Sequence, residues 1–184
     1  MIEKRIVYTR HDGGVSICCP TPEIFRVMTT GGWWNEYPHG YIDVQIERQI
    51  KEGIDSDHAR RFANAVAFGG VTEGEVWSII RDRDCARHGK QHELINFSDL
   101  PSRTFRNAWS RSHNGGPVGV DIEKARPIHW HRARTLVDIE NKKRETAFDQ
   151  TPILTPAWES LRTAMKHARD EEELLRIWPE GLSS

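Results

Sequence analysis

Cys85, His88 and His92 stand in the pattern C-x2-H-x3-H, the most metal-like spacing in this sequence. Thiolate and imidazole are zinc ligands, and the residues between them could wrap a turn around one ion. A structural zinc site needs four ligands and a catalytic one needs three plus water, yet no second Cys or His pair stands at a supporting distance. Exposed loop histidines are the expected reading, with a zinc-dependent protein around these residues as a minor alternative. His129-Trp130-His131 is the second candidate. Residues two apart on a helix lie ~200° round its axis, so the two imidazoles cannot share a ligand there. Two surface histidines beside a core indole are expected instead. Nucleophile elbow, phosphate-binding loop, dinucleotide fingerprint and HExxH pattern are all missing from the sequence. The expectation is a non-enzymatic protein with no cofactor and no bound metal.

Charge narrows the classes further. Charged residues make up 29%, hydrophobic ones 37%, and the net charge is −1 at a mean hydropathy of −0.66. No global field draws such a chain to nucleic acid or to an anionic membrane. The richest basic stretch, 122–148, holds Lys124, Arg126, Arg132, Arg134, Lys142, Lys143 and Arg144 against four carboxylates. That surplus suits a solvated helix face; a nucleic-acid-binding regulator using this helix is the main alternative, and Glu171, Glu172 and Glu173 offer an acidic partner within the chain. No apolar run approaches the ~18 residues that span a bilayer, and the first ten residues lack a signal-peptide core, so a protein made in the cytoplasm is expected, with no membrane partner. Cys18 and Cys19 should point to opposite faces of a strand, one of them buried.

These groups must be positioned by short elements. Residues 5–19 read as a β-hairpin turned at His11-Asp12-Gly13-Gly14, and Pro20 and Pro22 stop it. Residues 28–40, rich in Gly and Trp, read as a loop pinned by indoles. Ile42, Ile46 and Ile50 mark a helix stopped by Gly53, a second helix starts at Asp55 or Ser56, and a third at Thr72 with Glu75 as a capping box. The last two make an αα-hairpin rather than a DNA-reading helix-turn-helix, because Glu73 and Glu75 would face phosphate. Residues 91–97 read as a strand. Ser102 should cap a helix burying Phe105, Ala108 and Trp109 with Arg103, Arg106 and Arg111 outside. The pairs Gly13-Gly14, Gly31-Gly32, Gly69-Gly70 and Gly115-Gly116 let the chain turn. Asp121 looks like an N-cap, but Pro127 implies a helix that begins there or is kinked. Thr155-Pro156 and Asp170 with Glu173 should open two final helices. The span 149–156, with two prolines, is the expected hinge.

Seven tryptophans are scattered through the chain, each with a large apolar face and an N–H to satisfy. RIVYTRHDGGVS, LPSRTFRNAW and DIEKARPIHWHRAR, in that order, resemble uncharacterised proteins encoded among phage and prophage genes, especially of alphaproteobacteria. The ending PAWESLRTAM…LLRIWPEGL is similar to the closing pattern of tail-fibre assembly proteins. The resemblance implies a virion structural or tail-assembly component, located in the virion, whose partners are other phage structural proteins or a second copy of itself. Nucleic acid is not an expected partner. Trp109, Trp130, Trp158 and Trp178, with Arg132 and Arg134, are the candidate docking residues, core burial being the competing role for each indole. The expected fold is α+β: an N-terminal hairpin with a few short strands and a helical cluster in domain 1–120, then long helices in 121–184.

Overall fold

The computed structural model describes residues 3–146 and 152–182 and is an α+β protein of two compact units. The first comprises Met1–Leu100 and Arg111–Pro117. Strands β1 (Lys4–Arg10) and β2 (Val15–Cys18) form the expected hairpin, with Ile6 opposite Cys18 and Thr9 opposite Val15. Asp12 closes its turn by accepting the Gly14 N–H at 2.9 Å and the Arg10 guanidinium at 3.0 Å. The anticipated third strand, β3 (Gly89–Asn96), pairs antiparallel on the other side of β1, giving the order β2-β1-β3. Its register slips between Val7 and Thr9, beside Gln91, which adopts φ +57°. Ile6 and Val7 point to opposite faces of the sheet and are both buried, as befits a central strand covered on both sides.

Residues 20–40 depart from expectation. Helix α1 (Pro22–Thr30) occupies part of the stretch read as strand stop and loop. Thr21 accepts the Ile24 N–H and Pro22 sits in the first turn, the same kind of start signal that the sequence offers at Thr155-Pro156. Helices α2 (Tyr41–Lys51), α3 (Ser56–Phe68, capped by Asp55) and α4 (Glu73–Ile80) follow as expected, and Thr72 and Glu75 form the reciprocal capping box. α4 continues as a wider turn through Arg81–Cys85, where Arg81 pairs with Asp82 and Arg83 with Asp84, so that neighbouring charges cancel. Val27, Met28, Phe62, Val66, Val76, Trp77 and Ile80 form the core beneath the sheet.

The second unit is Pro101–Ser110 with Val118–Ser184. Ser102 caps its neighbour Thr104 as foreseen, but the segment Arg103–Ala108 is a tight three-residue-per-turn helix broken at Phe105 (φ −104°, ψ 25°). Phe105 and Ala108, three apart, suit that tighter winding as well as an α-helix. Trp109 and Arg111 then belong not to a helix but to strand β4 (Trp109–Ser112), which pairs with β5 (Gly115–Val120). α5 (Ile122–Thr146) begins at its Asp121 cap, which accepts the N–H groups of Glu123 and Lys124, and runs through Pro127. α6 (Trp158–His167) starts after Ala157, beyond the expected Thr155-Pro156 cap. The cause is tertiary: Asn141 on α5 holds both backbone groups of Leu154, at 2.7 and 3.0 Å, so residues 152–156 lie pinned. The remainder of the expected hinge, 149–151, lies outside the described residues. α7 (Glu171–Arg176) is capped by Asp170 as read.

Candidate functional site

The zinc-like trio does not converge. Cys85 is buried in the first unit's core against Cys18, and that thiol–thiol hydrogen bond together with burial pushes the Cys85 pKa up. His88 faces the Arg87 guanidinium, and His92 sits on β3, half-buried, with its ring 5.6 Å from Tyr8. Among the described residues, no three His, Cys, Asp or Glu side chains are grouped to hold a metal. Neither member of the vicinal pair is buried: Cys18 is half-buried and Cys19 exposed, because β2 ends at Cys18.

Within the second unit, two of the four candidate indoles meet and a third packs on the same core. Trp130 and Trp158 meet edge to face at 5.3 Å, and Arg134 lies over both rings at 5.9 and 5.3 Å. Arg132 lies over Trp178 at 5.3 Å and donates to the Thr104 hydroxyl. All three rings also lean on the core of Phe105, Ala133, Met165 and Leu174. Trp109 stands apart and buried, its indole N–H on the Ser102 carbonyl at 3.1 Å. His129, expected on the surface, is fully buried: one ring nitrogen bonds the Ile177 carbonyl at 2.9 Å, and desolvation holds its pKa below the ordinary 6.5. The acidic run does not serve the basic helix. Glu171 accepts the Ser102 N–H, Glu172 pairs with Arg176, and Glu173 accepts the Arg169 N–H. Several α5 cations find carboxylates nearby instead, Lys124 on Asp121, Arg126 on Glu123, and Lys143 and Arg144 on Glu140.

The first unit carries a more exposed arrangement that involves none of the sequence-predicted site residues. Two of the Gly-Gly pairs meet where α1 and α3 end. Gly32 donates to the Ala67 carbonyl at 2.8 Å and Gly70 to the Thr29 carbonyl at 2.9 Å. Gly31 (φ +71°) and Gly69 (φ +68°) touch so closely that a Cβ on either would collide with the other's backbone neighbourhood. Phe68, 72% exposed, and Trp33, 49% exposed, flank this junction. Trp33 also borders a cleft of about 190 Å³ that Ile24, Val27, Trp34, Phe62 and Val66 line. Two exposed aromatic side chains on a backbone locked by reciprocal hydrogen bonds are suited to gripping a protein surface. Periodicity could not reveal it, because Phe68 falls on the helix's last residue and Trp33 in a turn.

Arg111, placed outside a helix by the sequence reading, has a fully buried side chain. It meets Glu93 at 2.5 Å, and Glu93 also accepts the Gly116 N–H at 2.9 Å. Among known protein families, curated proteins and solved structures, this chain finds no match. No helix among the described residues is long and apolar enough to cross a membrane.

Proposed function

We propose that the chain is a non-catalytic docking component that binds another protein through the aromatic edge at the Gly31–Gly69 junction. The observation that carries this reading is the 72% exposure of Phe68 beside a half-exposed Trp33 on a rigid frame. Aromatic anchors held in place before binding lose little conformational entropy on association, which makes them efficient contacts. In the setting implied by the sequence resemblance, the partner is a phage structural or tail-assembly protein and the place of action is the virion. Quantitative protein analysis of particles purified from cells that encode this chain tests the reading. A fixed copy number per particle is expected. A polypeptide abundant in the lysate but absent from particles and from assembly intermediates counts against it. Mass measurement in solution separates a second copy of the chain from a different protein as the occupant of the edge.

A further inference from the structure

A second feature, confined to the second unit, points to a ligand of another kind. Arg126, Trp130 and Arg134 recur every four residues along α5 and line one wall of a groove of about 360 Å³. Arg162 and Lys166, one turn apart on α6, line the other, with Met165 at the floor. Four cations thus share one small concavity, and among the described residues no carboxylate lines it. Among the described residues, Arg134, Arg162 and Lys166 form no ion pair. Arg126 is anchored by Glu123 at 2.6 Å and by the Ala168 carbonyl at 2.9 Å, while its buried Nε has no acceptor. Arg134 is steadied over the rings of Trp130 and Trp158.

We infer that this groove binds the phosphate group of a small ligand. Uncompensated like charges one helical turn apart repel, so an anion seated between the helices relieves a strain that the protein otherwise carries. Guanidinium forks match the oxygens of phosphate, and cations arriving from two walls suit a tetrahedral dianion better than a planar carboxylate. A small ligand is favoured over a polyanion on two counts. The concavity is small, and Glu123, 79% exposed, pairs with Arg126 and so holds a carboxylate beside one of the four cations. The chain's net charge of −1 supplies no long-range attraction for a polymer. This inference is independent of the docking edge in the first unit.

Calorimetric titration of the full chain at low ionic strength tests it, using inorganic pyrophosphate, glycerol 2-phosphate and a twelve-residue oligothymidylate in separate arms. One pyrophosphate or glycerol phosphate per chain is expected, the tighter of the two distinguishing a free phosphate from a phosphate ester. Binding should weaken at least about tenfold in the double variant Arg162→Gln/Lys166→Gln and stay unchanged in Lys143→Gln, whose cation lies on α5 outside the groove. Arg162 and Lys166 are both exposed, so the variant should melt as the parent does. Failure of both small phosphates to saturate overturns the inference. So does an equal loss in Lys143→Gln, or an oligothymidylate bound more tightly than either small phosphate and lost with the same two cations.

Discussion

Arg111 is the residue whose burial is hardest to compensate. A charged side chain out of water is stable only where its partner and its hydrogen bonds are in place, and here, among the described residues, Glu93 is the one acceptor, with Nε and Nη1 unpartnered. Glu93→Ala should cost about 3 kcal/mol in denaturant melts, the lower end for a broken buried pair since Glu93 itself is 40% exposed. Arg111→Met should cost clearly less, because it removes the buried charge along with the pair. His129 supplies a pH signature. Its folded pKa is depressed by desolvation, so the fold favours the neutral ring, while the unfolded chain protonates at the ordinary 6.5. The stabilising contribution is therefore complete above pH 6.5 and is lost as pH falls below it toward the folded value. In melts at pH 7.5 and 5.5, His129→Phe should flatten that part of the decline, as no other histidine is fully buried. An unchanged slope would overturn that assignment, because capping carboxylates such as Asp12 and Asp55, held below their ordinary 3.8 by backbone hydrogen bonds, lose their contribution only below that pH, outside this window.

At the scale of elements, local start signals and tertiary contacts compete. Thr72 with Glu75 and Asp170 with Glu173 won their helices, since each capping side chain satisfies a first-turn N–H of its own helix. Thr72→Ala should cost about 1 kcal/mol, read as a lowered denaturation midpoint with an unchanged slope. Thr155-Pro156 lost, because the Asn141 side chain commits Leu154 to an extended path just before it. The glycine junction illustrates a constraint that acts between elements. Gly69→Ala introduces both a left-handed alanine and a collision with the Thr30 and Gly31 backbones, so roughly 3 kcal/mol should be lost. Gly13→Ala, at φ +81° with open space around it, should cost only about 1 kcal/mol. Comparable losses at the two positions would mean that α1 and α3 do not need their close approach.

At the scale of the molecule, the surfaces decide what the protein does. Phe68 and Trp33 are exposed, so the double change to serine should leave the melting free energy within about 0.5 kcal/mol while incorporation into particles falls away. A variant incorporated at full copy number would move the docking role elsewhere, Trp130, Trp158 and Trp178 being the next places to look. The sequence by itself determined the β-hairpin, helices α2 to α4, the long basic helix and the α+β class, because hydrophobic period, capping pairs and turn residues act over a few neighbouring positions. It did not determine the depth at which Arg111 and His129 lie, the strand that carries Trp109, nor the meeting of two glycine turns 38 residues apart. It also left unread the two rows of cations facing each other across a groove, although the four-residue spacing from Arg126 to Arg134 was visible. Those features depend on which elements touch. Burial, desolvation and like-charge crowding exist only once distant segments exclude water from one another, and the tertiary structure alone decides that.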